Sequence, residues 1–114
     1  MESLQTNDAL VTRTHGTDLN DSKVDLVLLH GWGMNSGAFS SFIPYLQDYF
    51  RVTTIDLPGF GENAHHLPKP YTVEALANMI SAQLPKHCVL AGWSLGGLVA
   101  QKLAIDAPQK LSGL

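Results

Sequence analysis

Only one cysteine, Cys88, stands among the 114 residues, so an internal disulfide is excluded. Its place in an apolar run marks it as a buried strand residue rather than a reactive thiol. No apolar run approaches the roughly 20 residues of a membrane helix, which excludes a helical span. Charge of one sign is scarce as well. The net charge is −3, with acidic and basic residues scattered, so no basic stripe points to nucleic acid and no charge block to a solvated tail. The segment 1–7 lacks the charged-then-apolar order of a secretory leader. No His, Cys, Asp and Glu stand at metal-ligand spacing, and neither a metal nor another cofactor is expected. These absences leave the expectation of a cytoplasmic protein with no membrane and no nucleic-acid partner. The last absence is of histidine in the C-terminal part: the five are His15, His30, His65, His66 and His87, and none follows.

What is present is one small domain's worth of chain, 45% apolar, enough for one modest core. Residues 1–8 read as a flexible leader and 9–114 as a single partial domain. Ala9–Thr14 reads as a short strand, with His15-Gly16-Thr17-Asp18 as a hairpin turn. Val24–Leu29 is a near-continuous apolar run, expected of a strand buried on both faces of a parallel sheet. Phe39, Phe42, Ile43, Leu46 and Phe50 follow helical spacing and predict a helix over 36–49, interrupted or kinked at Pro44. Arg51–Ile55 reads as a second buried strand. Asp56-Leu57-Pro58-Gly59-Phe60-Gly61 is a tight loop by its Pro and Gly, and 62–71 reads as a polar, exposed segment. Thr72 caps a helix whose stripe is Val73, Leu76, Ala77, Ile80 and Leu84, ended by Pro85. Cys88–Gly92 is a third strand and Ser94–Asp106 a third helix. Lys110–Leu114 reads as the approach to a further strand that the chain does not reach. Strands alternating with helices imply an α/β fold with a mostly parallel sheet and flanking helices.

Three features fall at the C-terminal ends of three successive strands, the edge where open parallel sheets place their sites. His30-Gly31-Trp32-Gly33 is a glycine-rich loop able to turn a backbone N–H toward a developing oxyanion. The Asp56–Gly61 loop is the second. The third, Gly92-Trp93-Ser94-Leu95-Gly96, has the Gly-x-Ser-x-Gly spacing of a nucleophile elbow. That turn lifts a serine hydroxyl above the sheet, and its glycines stand where strand and helix backbones meet too closely for a Cβ. Ser94 is therefore the candidate nucleophile, and the N–H of Leu95 opens a helix and can bind an oxyanion.

Other polar residues receive plainer roles. His30 and Asp56 read as loop-structuring, together with Gly31, Gly92 and Gly96. His65 and His66 read as solvated. His87 precedes a strand at the wrong edge for the site, and Asp106 lies at the far end of the Ser94 helix. Trp93 either walls a substrate pocket or packs behind the elbow, and the spacing leaves both open. Trp32, on a loop that should face the site, reads as substrate-binding.

The three motifs together resemble the N-terminal half of an α/β-hydrolase. The match runs through Leu28-Leu29-His30-Gly31-Trp32-Gly33-Met34-Asn35, the 56–61 loop and Gly92-Trp93-Ser94-Leu95-Gly96-Gly97-Leu98-Val99-Ala100. Within that superfamily they are similar to the pimeloyl-[acyl-carrier protein] methyl ester esterases of biotin synthesis. The resemblance implies Ser94 as nucleophile and the backbone amides of Trp32 and Leu95 as the oxyanion hole. It also implies a small ester substrate carried on an acyl carrier protein, a helical cap, and a later acid and base that this sequence does not contain. The expectation is a serine carboxylesterase written here as an incomplete chain, nearly inactive by itself. Other readings stay open: a lipase or C–C hydrolase on the same fold, a non-catalytic acyl-binding or interaction fragment, or half of an enzyme completed by a C-terminal partner chain.

Overall fold

The computed structural model describes residues 9–15 and 23–114. The leader and the 16–18 turn expected from the sequence lie outside the described residues. Five strands form one sheet: β1 (Thr12–His15), β2 (Val24–Leu29), β3 (Phe50–Ile55), β4 (Cys88–Gly92) and β5 (Leu111–Gly113). Their spatial order is β1-β3-β2-β4-β5. β1 runs antiparallel to β3, while β2 pairs in parallel with β3 and β4, and β4 with β5.

β2 lies at the centre, and its side chains alternate between two cores, as the strand pleat requires. Val27 and Leu29 join Ile55, Leu57 and Leu90 beneath two helices, α2 (Val73–Ser81) and α3 (Leu95–Asp106). Leu76, Ala77 and Ile80 of α2 and Val99, Ala100 and Leu103 of α3 complete this larger core. Leu26, Leu28 and Val52 point to the opposite face, where Ile43 and the partly buried Phe39 and Leu46 cover them. Cys88 is buried in the larger core, and burial, reinforced by Asp25, pushes its thiol up to about 11. It stays an un-ionised, inert side chain at neutral pH.

Several expectations are corrected. Residues 36–49 do not form one helix. A 3₁₀ turn (Ser36–Phe39) and a four-residue helix, α1 (Ile43–Leu46), replace it. Asn35 accepts from the Gly37 N–H and starts the 3₁₀ turn, while Pro44 sits in the first turn of α1 where no N–H is needed. His15 is not in a turn: it ends β1, its Nε2 lying 3.2 Å from Thr54 Oγ1. The helix expected from Ser94 begins at Leu95. β5 is already formed, because Leu111 and Gly113 lie in register with Cys88 and Val89. Thr72 does cap α2, accepting from the Ala75 N–H at 3.0 Å.

Candidate active site

The C-terminal ends of β2, β3 and β4 adjoin in the sheet, so the loops that follow them converge on one edge. The elbow after β4 is the most constrained. Ser94 has φ 56° and ψ −116° and is the one non-glycine residue with positive φ among the described residues. A residue so held costs roughly 1–3 kcal/mol and persists only where its surroundings impose it. The imposing contacts are visible. The Trp93 N–H donates to Leu29 O at 3.0 Å, and the Gly96 N–H donates to Trp93 O at 3.0 Å. A Cβ on Gly92 would collide with the Gly96 carbonyl, and one on Gly96 with the carbonyls of Leu29 and His30. The glycines thus let α3 start directly over β2 and β4. Ser94 itself is exposed, and its hydroxyl makes no hydrogen bond among the described residues.

The loop after β2 packs against this elbow. A Cβ on Gly31 would stand 2.9 Å from Trp93 Cδ1 and 3.2 Å from Ser94 Cβ, so only glycine lets the two loops touch. His30, fully buried, fastens that loop to the one after β3. Its Nε2 accepts the Leu57 N–H at 2.8 Å, which leaves the ring proton on Nδ1 to donate to Gly31 O at 2.7 Å. With both ring nitrogens engaged, His30 has no lone pair to offer a nucleophile. Leu95 is the first residue of α3, so its N–H has no intrahelical carbonyl partner. The Trp32 N–H likewise makes no hydrogen bond among the described residues.

Asp56 organises the third loop. Its carboxylate accepts the Ser36 N–H at 2.7 Å and the Glu62 N–H at 2.8 Å. Partial burial pushes its pKa up, but the bonds from Glu62 and Ser36, with a smaller contribution from His30, outweigh it and hold the carboxyl below its ordinary value. Asn63, in the stretch expected to be exposed, is fully buried. Its amide donates to Asp56 O at 2.6 Å and to Val11 O at 3.1 Å, and its oxygen accepts the Val11 N–H at 2.7 Å. Nothing in the polar stretch around it signalled that role, because the partners lie across the fold.

The two tryptophans are separated by function of place. Trp93 is 65% exposed, so it is not core packing; it borders an apolar cavity of about 330 Å³ with His30, Gly31, Met34, Ala38, Phe39 and Phe42. Trp32 is 66% exposed and stands edge-on to Phe60 and Tyr71, at centroid distances of 5.1 and 6.0 Å. Phe39 and Phe42, whose spacing fits a helix stripe, reach this cavity only through the tertiary fold. His65 is exposed, His87 precedes β4, and Asp106 ends α3 beside Lys102 at 3.2 Å; none of them hydrogen-bonds Ser94. Among the described residues no three His, Cys, Asp or Glu side chains cluster as a metal site.

The fold that carries this strained serine and glycine loop is shared with known proteins. Residues 26–114 match the alpha/beta hydrolase fold family. The chain belongs to the alpha/beta hydrolase fold family. It is 50% identical over 105 residues to a pimeloyl-[acyl-carrier protein] methyl ester esterase of Pseudoalteromonas atlantica, covering 92% of this chain and 39% of that protein. To the protein of the same name from Aeromonas hydrophila it is 48% identical over 90 residues, covering 79% of this chain and 35% of the relative. The chain thus spans well under half the length of these relatives. Among solved structures, a hydrolase from Pseudomonas aeruginosa superposes with TM-score 0.79 at 31% identity, covering 88% of this chain and 38% of that one. A thermophilic esterase from Thermogutta terrifontis gives TM-score 0.77 at 32% identity, with 92% and 38% covered. The order β1-β3-β2-β4-β5 sets the elbow after β4 and the glycine loop after β2 on neighbouring strands.

Proposed function

We propose that this chain carries the nucleophile and oxyanion-binding half of a serine carboxylesterase. Its substrate would be the methyl ester of a pimeloyl group on an acyl carrier protein, in the cytoplasm. The observation that carries the reading is the strained Ser94, presented on the elbow with an unbonded hydroxyl. The names of the relatives support the substrate class, and the free amides of Trp32 and Leu95 support the oxyanion hole. In the reaction, Ser94 Oγ attacks the ester carbonyl while a base takes its proton. The amides hold the tetrahedral oxyanion, methanol leaves with a proton, and an acyl-serine remains. Water then attacks that acyl-serine, regenerating Ser94 and releasing the acid. The base would be a histidine oriented by a carboxylate; His30, in the adjoining loop, has both ring nitrogens engaged, and no described histidine hydrogen-bonds Ser94.

A chimera tests this: residues 1–114 joined to the remaining C-terminal part of the Pseudoalteromonas atlantica relative. It is expected to hydrolyse pimeloyl methyl esters, with Ser94→Ala lowering kcat by about 10⁶. Residues 1–114 alone should show almost no turnover. Equal rates for the chimera and its Ser94→Ala variant would sink the reading. An unjoined mixture of the two parts that recovers turnover would favour a two-chain enzyme over a single chain.

A further inference from the structure

A second apolar cavity, of about 330 Å³, opens beside the glycine loop and is bounded by Trp32, Gly59, Phe60, Leu67 and Tyr71. Its volume is at the lower end of the ~300–1,000 Å³ usual for small-molecule sites. Its walls are rings and a leucine, with no charged side chain. The Tyr71 hydroxyl is engaged, donating to Pro58 O at 2.7 Å, and burial raises its pKa, so the phenol stays neutral. Leu67 is 60% exposed, so two large apolar surfaces, Leu67 and the Trp32 ring, are left open to water around one hollow.

The hollow is held open rather than collapsed. Gly59 sits at φ 90°, its N–H donating to Asn63 O at 2.9 Å. A Cβ there would stand 2.8 Å from Leu67 Cδ2 and 3.5 Å from Tyr71 Cε2, so any larger residue would be strained at this φ and would press on the Leu67 and Tyr71 walls. Phe60 packs edge-on against both Trp32 and His30, at 5.1 and 5.7 Å, which ties the wall to the buried anchor of the glycine loop. Trp32 therefore belongs to two places at once. Its ring forms the wall of this cavity, and its backbone amide is the candidate oxyanion donor. The neighbouring Gly31 borders the other apolar cavity, on the Trp93 side. Two apolar cavities reach one carbonyl-binding loop at adjacent residues, as a carbonyl compound with two diverging arms requires.

We propose that the Trp32–Gly59–Phe60–Leu67–Tyr71 cavity is a subsite for an unbranched aliphatic arm of the ester, with Gly59 and Leu67 setting the length and shape it accepts. The proposal rests on the esterase reading for its ligand class, but its test reads binding and not turnover. In the Trp93→Phe variant, Trp32 is the sole tryptophan. Titration with methyl hexanoate is expected to change its emission saturably. Leu67→Glu, at an exposed position that leaves the core intact, should weaken the response roughly tenfold or more, since a carboxylate would face the aliphatic chain. Phe42→Glu, in the other cavity, should shift it less than about twofold, because additive behaviour is expected of separate sites. Circular dichroism checks that each variant folds, and the same titration in the chimera covers a variant that does not fold alone. No saturable response overturns the proposal, and so does loss in Phe42→Glu with none in Leu67→Glu. A Trp32 emission change that follows protein concentration instead of ester would mean that a second copy covers the cavity, and would also overturn it. Binding intact with hydrolysis absent in the chimera removes only the esterase reading; hydrolysis intact with no binding here removes only the subsite.

Discussion

At the scale of single residues, the least replaceable are those whose backbone partners lie on other loops. His30 bonds two buried backbone groups, so His30→Ala leaves the buried Leu57 N–H without a partner and the Gly31 carbonyl with the Met34 N–H alone. An unsatisfied buried group costs about 1–3 kcal/mol, and the variant should lose about 3 kcal/mol in urea unfolding; a loss near zero would mean water replaces the ring. Asp56 is pH-sensitive in a definite direction. Its folded pKa lies below the ordinary 3.8, so its contribution is complete above that value and is lost as pH falls through the lower folded pKa. The urea midpoint of the native chain should exceed that of Asp56→Asn at pH 7, and the gap should close toward pH 3. A gap that persists unchanged in acid would show that the carboxylate charge is not what holds the loop. The place of His30 in a glycine-rich loop was legible in the sequence, while its burial and its partners were set by the tertiary fold. The roles of Asn63 and Tyr71 were not legible, because their bonds reach backbone that no local pattern brings near.

At the scale of elements, the elbow is a contact between backbones. Gly96→Ala would put a methyl into the carbonyls at the end of β2, and overpacking of this kind costs about 1–3 kcal/mol or more. Thermal unfolding should show the loss, and Trp93 emission should change with it, since α3 must move away from β2. An Ala variant as stable as the native chain would refute the close-approach account. Strands β2, β3 and β4 and helix α2 were readable from alternation, apolar runs and a capping threonine. The 36–49 segment was not, although its apolar spacing is helical. Asn35 at the start and Pro44 in the middle divide it, and only Ile43 of α1 is buried. Periodicity records which residues face the core, not whether one helix carries them all.

At the scale of the whole molecule, the sheet has one well-covered face and one thinly covered face. α2 and α3 cover the first, while a 3₁₀ turn and the short α1 cover the second. β5 pairs with β4 alone among the described strands, leaving its other edge open. Phe42, Tyr45, Tyr49, Trp93, Leu98 and Leu114 are all exposed. An open strand edge is a template for pairing, and exposed apolar side chains elsewhere on the surface add to the tendency to associate. Residues 1–114 should therefore self-associate, with the sedimentation-average mass rising above 12.3 kDa as concentration increases. Ser112→Lys, an exposed edge position, should suppress that rise. A monomer at all concentrations would show that the edge is protected. No described helix is long and apolar enough to cross a membrane.

The sequence by itself determined the alternation of strand and helix, the glycines of the elbow and the choice of serine at its tip. Each of these is a local property: a residue type, a spacing of two or between three and four, or the absence of a side chain. The tertiary structure decided which loops meet. It placed Gly31 against Ser94, closed both nitrogens of His30, buried Asn63, and turned Trp93 outward and the Trp32 ring toward Phe60 and Tyr71. Those outcomes depend on strand order and on packing between segments far apart in the chain. A single sequence carries that information only in the sum of its contacts, not in any local pattern.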